Sequence, residues 1–428
     1  MKTYLLMMRK AVLIGSIFLL FFARGVIGAT YYVAVDGNDS RGNGTEGIPW
    51  ASIEHGVAQL TPGDSLIVKD GTYTDHDNDT YAVYVRVDGT SDNWITIRAE
   101  NEGGVIIDGQ NEKTTYGFFL YRADYVRIDG FEIKNFAHSG IYLRSSHDSY
   151  ISKCNIWGIG REYLNTKCTS DYSMAGIHAK LDTYNVTVDK CTLHDIGPIH
   201  RYPKYGAICI YDYKRGPPIY AAGYGWLIQN CLFYNMYGSM GILITTHTGS
   251  TDRSTHIITN NTFAHDVNDG YETCNSFGAQ GHIKHCHTFS GNPPHDVVIQ
   301  NNAFYNPPGT TAIWSSTSES STNSLTIRNN VTSASNIYVR IKRSGTPTLI
   351  DNTAGLSLAS FGMTDPENND FTLTSLSHLI SQGIASLSPG YDHDGNIRPT
   401  GAGGPDIGAY EYEKTNSKPS KPTGLHFE

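Results

Sequence analysis

The sequence predicts an all-β chain wound as a right-handed parallel β-helix, with a short capping helix near its N-terminal end. Three observations carry that expectation. A short motif recurs at spacings of about 22 to about 40 residues. It sets like residues in one column, first cysteines and then asparagines. A β-rich stretch precedes each occurrence. Stacked coils of one repeating unit produce all three, and parallel crossovers of this kind are right-handed.

In chain order, the first element is a leader. Arg9 and Lys10 precede the apolar run Ala11 to Phe22, and Val26-Ile27-Gly28 offers a cleavage site. Residues 1–28 therefore read as a signal peptide, with an apolar run short for a membrane span. The protein is expected to be secreted, with no span in its mature part. Losing Lys2, Arg9, Lys10 and Arg24 with the leader takes the formal charge from −9 to −13. An acidic body argues against nucleic acid, whose phosphates need a basic face. An anionic glycan can bind only where Lys and Arg cluster locally.

Residues 29–412 read as one elongated domain, expected to be a monomer. Near its start, Ser52 to Leu60 sets Ile53, Val57 and Leu60 on one face, which makes a short amphipathic helix able to cap the open end of a solenoid. The repeat follows as Gly130-Phe131-Glu132-Ile133, Lys153-Cys154-Asn155-Ile156, Lys190-Cys191-Thr192-Leu193 and Asn230-Cys231-Leu232-Phe233. Asn261, Asn302, Asn330 and Asn352 continue the same column. In-register stacking does not give disulfide geometry, so Cys154, Cys191 and Cys231 are expected as buried thiols. The asparagines are expected to bond to one another and to the turn backbone. Beyond Tyr412, residues 413–428 have a linker composition, and Pro419 to Leu425 is similar to the first strand of a fibronectin type III module.

Thr30 to Val33, Pro49 to Ile53, Pro62-Gly63-Asp64, Gly71-Thr72-Tyr73, Ile95 to Glu100 and Val105 to Gly109 together resemble the opening of secreted parallel β-helix proteins, including the alginate lyase/chondroitinase B family. Asp394 to Pro399 and Gly404 to Glu411 are similar to the closing motif of bacterial β-helix proteins with a choice-of-anchor terminus. The resemblance implies a carbohydrate-active protein, a polysaccharide lyase acting on a uronate-containing glycan, and calcium as its cofactor. The Asn and Glu cluster that this family carries ahead of its catalytic Lys is absent here. Arg340-Ile341-Lys342 matches three letters of a polygalacturonase motif whose companion motifs are missing.

The chemistry is expected on a second recurring strand: Gly140-Ile141-Tyr142-Leu143-Arg144, Gly176-Ile177-His178-Ala179-Lys180, Ala207-Ile208-Cys209-Ile210-Tyr211 and Gly241-Ile242-Leu243-Ile244-Thr245. Alternation turns Tyr142, His178, Cys209 and Leu243 outward in one column, and Arg144, Lys180, Tyr211 and Thr245 in the next. Residues 157–175, 194–205, 213–225 and 264–280 read as insertions beside this face, rich in Tyr, His and Arg. A groove of this kind suits a chain of sugars stacking on rings. Elimination on a uronate needs a base for the proton alpha to the carboxylate, and cations to hold the developing charge. Lys180 and Arg144 suit those roles, with His178 or Tyr211 as alternative base or acid. Tyr142, Arg215, His247 and Lys284 are expected to bind substrate. Asp266, Asp269 and Glu272, in an oxygen-rich stretch with a turn glycine, are the candidate calcium ligands. Two other readings stand beside this one: an inverting glycoside hydrolase using Asp182 and Asp212, and a non-catalytic glycan-binding adhesin.

Overall fold

The computed structural model describes residues 28–77, 79–161, 174–197, 219–236, 241–245, 254–264, 282–286, 296–307, 311–316, 324–340, 347–401 and 403–413. The chain is a right-handed parallel β-helix. Each coil gives one strand in turn to each of three parallel sheets, which hold eleven, nine and nine strands among the described residues. The nine-stranded sheet that begins with Tyr81–Val85 contains Tyr116–Tyr121, Ser139–Arg144 and Ala175–Lys180, and is called the site sheet below.

Alternation dictates the core. In the eleven-stranded sheet Ile97, Ile128, Ile151, Val188, Ile228 and Ile258 pair in register, point inward and are buried. Burying each such side chain contributes roughly 1.5–3 kcal/mol. The helix spans Ile53–Ala58, where the Ser52 hydroxyl caps it by accepting from the His55 amide, and Ile53 and Val57 are buried against the first coils. The capping helix is therefore as expected, with narrower bounds.

From Val126–Asp129 onward, the residue that follows each strand of the eleven-stranded sheet adopts a left-handed conformation: Gly130, Lys153, Lys190, Asn230, Asn260, Asn301, Asn329 and Asp351 all have φ between 48° and 84°. Asparagine and glycine tolerate this region best, which explains the enrichment in the motif. The next residue points inward. There Cys154, Cys191 and Cys231 are buried free thiols, as expected. The asparagine column is also as expected. The Asn261 side chain donates to Asn302 Oδ1 at 3.0 Å, Asn302 to Asn330 Oδ1 at 3.0 Å and Asn330 to Asn352 Oδ1 at 3.0 Å.

Glycines open the site strands because nothing larger fits. A Cβ on Gly140 would sit 2.6 Å from Ile156 Cγ2, and one on Gly117 would sit 2.3 Å from the Gly140 carbonyl oxygen.

The C-terminal segment returns along the turn column. Asn329 donates to the Gln382 carbonyl (3.1 Å), Asn301 to Ile384 (2.8 Å), Asn260 to Asp406 (3.1 Å) and Asn230 to Tyr391 (2.9 Å). Buried Arg398 ties it down by donating to Asn230 Oδ1 (2.9 Å) and to the carbonyls of Gly408 and Ala409, and it pairs with Glu411. Asp392 is a turn former, accepting from the amides of Asn396 and Glu411.

Candidate functional site

The site sheet brings Tyr142 opposite His178 and Arg144 opposite Lys180, as the alternation predicts. Adjacent strands lie about 4.8 Å apart, so two cationic side chains stand side by side on the outer face. Arg144 is exposed and Lys180 half-buried. The two rings beside them are covered: Tyr142 is 7% exposed and His178 0%. His178 stacks on His138 at 5.2 Å and 8°, and Tyr142 lies 5.0 Å from His178. The expected open floor is thus buried at this coil, because the imidazoles stack with one another and with the tyrosine.

The next strand corrects the sequence reading. Ala175–Lys180 pairs with Ile219–Ala222, so that His178 faces Tyr220 rather than Cys209. Tyr220 then faces Leu243, Ala222 faces Thr245, and Leu243 faces Lys284. Ala222, not Tyr211, holds the place opposite Thr245 next to the Lys180 strand. The sequence reading gave this strand to 207–211 and put 219–222 inside an insertion, and periodicity has no means of choosing between two such runs in one coil. Strands also occupy 157–159, 194–196 and 219–222, which the sequence reading put inside insertions. Lys284 falls in the Tyr142 and His178 column, three strands beyond His178. Tyr211, Arg215, His247, Asp212, Asp266, Asp269 and Glu272 lie outside the described residues. Asp182 is exposed, just past the Lys180 strand.

Burial, with the Lys180 ammonium adding to it, pushes the His138 imidazole down to about 3. His138 is therefore neutral near pH 7, and its Nδ1 lies 2.7 Å from Ser139 Oγ.

Toward the N-terminal coils the face becomes an aromatic platform that the sequence reading missed. Tyr81 and Phe119 stack at 4.6 Å and 7°, and Phe119 and Tyr142 at 5.0 Å and 14°. Tyr116 and Tyr142 also stack, at 5.0 Å. Beside the platform, Arg86, Arg122 and Arg144 gather around Tyr121. The signal was available, since Gly117-Phe118-Phe119-Leu120-Tyr121 repeats the pattern of Gly140 to Arg144 one coil earlier.

Oxygen ligands lie elsewhere. Among the described residues, Asp75, Asp77 and Asp79 have carboxylate oxygens within 4.8 Å of one another. They precede the strand Tyr81–Val85, three strands before Ala175–Lys180 in the site sheet. Burial first, then the charges of Asp77 and Asp79, raise the nearby Glu54 carboxyl to about 7.

Fold and face define a parallel β-helix with a cationic, aromatic-rich strip along one sheet. The family described as "Pel9A-like, right handed beta helix region" matches residues 31–194, which include Arg86, Arg122, Arg144 and Lys180. A curated relative, pectate lyase L of Dickeya dadantii (strain 3937), is 28% identical over 127 residues. That match covers 28% of this chain and only 29% of the relative's length. Among solved structures, pectate lyase Pel9A superposes with a TM-score of 0.52 at 17% identity, over 90% of this chain and 96% of that one. An alginate lyase from Paenibacillus sp. str. FPU-7 gives a TM-score of 0.45 at 14% identity, covering 77% and 99%. At 17% identity the Pel9A superposition speaks for the fold alone. No helix among the described residues is long and apolar enough to cross a membrane.

Proposed function

We propose that this protein is a secreted polysaccharide lyase that cleaves a uronate-containing glycan by β-elimination on the site sheet. The observation that carries the reading is the register pairing of Arg144 with Lys180 beside an aromatic platform. The Arg144 guanidinium takes the substrate carboxylate in a forked pair. This holds the acidic proton of the neighbouring carbon toward Lys180 and spreads the charge that develops when the proton leaves. Lys180 accepts that proton in its neutral form. The carbon–oxygen bond beta to the carboxylate then breaks, and the glycosidic oxygen leaves with a proton from an acid or water. The product is an unsaturated uronate. The partial sequence likeness to a pectate lyase supports a uronate as substrate.

Calcium has no step in this scheme. The described face around Arg144 and Lys180 supplies cations and rings rather than oxygen ligands, so it does not fit the ion. Asp266, Asp269 and Glu272 remain the proposed calcium ligands, apart from the proton transfer.

The test is a panel of defined uronate polymers, followed by the ultraviolet absorbance of the unsaturated product. Lys180→Ala is expected to lower turnover on the order of 10²-fold or more, with the melting temperature nearly unchanged. Arg144→Ala is expected to raise KM and lower kcat together, because it holds the carboxylate in both ground and transition states. Full activity in both variants on a polymer the wild type cleaves refutes the assignment. Reducing sugar released without the chromophore replaces elimination by hydrolysis.

A further inference from the structure

Arg86, Arg122 and Arg144 have their guanidinium carbons 5.9, 5.3 and 5.7 Å from the centroid of the Tyr121 ring. They come from three successive coils. Arg86 directly follows the strand Tyr81–Val85, Arg122 follows Tyr116–Tyr121, and Arg144 closes Ser139–Arg144. All three are exposed, and none forms an ion pair with a described carboxylate. Cation–π attraction alone accounts poorly for the group. One ring has two faces, so at least two of the three cations must share a face, where they repel. All three lie within about one Debye length of the ring, ~8 Å at physiological salt, so that repulsion is not screened away. The cluster is gathered on a chain of formal charge −9. Such a concentration of unpaired positive charge is stabilised by an anion placed among the three.

Arg122 is further evidence of placement. It adopts a left-handed backbone, φ 51°, in the turn where Ser145 (φ 52°) and Leu181 (φ 49°) stand on the next two coils. The turn itself does not require an arginine, since Ser145 and Leu181 hold the same place on the next two coils. Its head instead reaches back over the ring of its own neighbour, Tyr121.

We propose that Arg86, Arg122 and Arg144, with Tyr121 as the stacking surface, form a subsite for a sugar residue bearing a carboxylate or sulfate group, on the N-terminal side of Lys180. The sugar ring lies against the half-buried tyrosine through its C–H face, and its anion is gripped by forked guanidinium bonds. The polymer runs along the solenoid axis, across strands, and must be charged at this residue as well as at the one held beside Lys180. Runs of consecutive acidic sugars are therefore preferred over chains in which acidic sugars stand alone among neutral ones. The proposal rests on the site sheet being the glycan-binding face, and not on the reaction carried out there.

The experiment measures equilibrium binding by the full chain carrying Lys180→Ala, so that cleavage does not consume the probe. The probes are tetramers of a polyuronate, the same tetramers fully methyl-esterified, and a sulfated glycan tetramer. Arg86→Gln and Arg122→Gln are each expected to weaken uronate binding about tenfold, from the loss of a charged hydrogen bond, and to flatten its salt dependence. The esterified tetramer should bind weakly and be insensitive to both changes. Arg86→Lys and Arg122→Lys, which keep charge without the fork, should recover part of the loss. A response confined to the sulfated tetramer keeps the subsite and names sulfate as its anion. Equal affinity in the wild-type and Gln backgrounds for both acidic tetramers overturns the proposal. So does an equal loss for the esterified tetramer, or failure of every acidic tetramer to bind. Acidic tetramers held through these arginines by a protein that never yields unsaturated product would sink the lyase reading and leave the subsite standing.

Discussion

Asn302 is a small residue whose loss should cost this solenoid several hydrogen bonds at once. It is fully buried in the inward ladder. Its Oδ1 accepts from both the backbone amide and the side-chain amide of Asn261, each at 3.0 Å. Its Nδ2 donates to the carbonyls of Ile258 (3.0 Å) and Gln300 (2.8 Å) and to Asn330 Oδ1 (3.0 Å). In Asn302→Ala the buried Asn261 amide loses its acceptor, at roughly 1–3 kcal/mol, while Asn261 Nδ2 keeps the Ile228 carbonyl at 3.0 Å. The two carbonyls each lose a bond worth about 1 kcal/mol net. The expected cost is about 3–5 kcal/mol. Cys191→Ala, in the same column three coils earlier, removes a thiol with a long contact to the Asp189 carbonyl (3.5 Å) and should cost about 1–2 kcal/mol. Denaturant unfolding of both variants at constant slope reads the difference. If Asn302→Ala proves no more damaging than Cys191→Ala, the ladder does not hold the coils together.

Two further outcomes are expected. Burial pushes the His282 imidazole down to about 3, against a usual 6.5, and its ring nitrogens have no hydrogen-bond partner among the described residues. The folded state thus keeps His282 neutral while the unfolded chain takes up a proton below pH 6.5. Its contribution is complete above that pH and should fade by about 1.4 kcal/mol per unit as pH falls toward 3. His282→Phe should remove about one proton from the slope of stability against pH; an unchanged slope would mean that His282 does not titrate this way. If Asp266, Asp269 and Glu272 hold calcium, chelator should lower the melting temperature and added calcium restore it by mass action, whereas a melt indifferent to both rejects the ion.

The solenoid was legible because stacking repeats chemistry at a fixed place. Cys154, Cys191, Cys231 and the asparagines after them stand in one column in the sequence and in the structure. The opposition of Arg144 and Lys180 came through for the same reason, since alternation places the second and fourth residues after each glycine on one face. Where a coil contains two apolar alternating runs, as at 207–211 and 219–222, that logic gives no preference, and the register passed to Ile219–Ala222. The burial of His178 was hidden too, because it depends on a stacking partner, His138, that no strand period marks. Arg86 and Arg122, which join Arg144 around Tyr121, were missed for a geometric reason. Arg86 and Arg122 sit just past their strand ends, where alternation no longer says which way a side chain points.

The C-terminal segment also changes how the molecule carries load. Stacked coils by themselves peel one at a time, each rupture exposing the next. Here the asparagines at 230, 260, 301 and 329 reach out of successive coils to one returning strap, which ends in the buried Arg398 knot. Tension entering from the C-terminal end meets the knot first, and is then shared in shear by several coils at once. The solenoid is laced along one edge, so its coils resist pulling as a group.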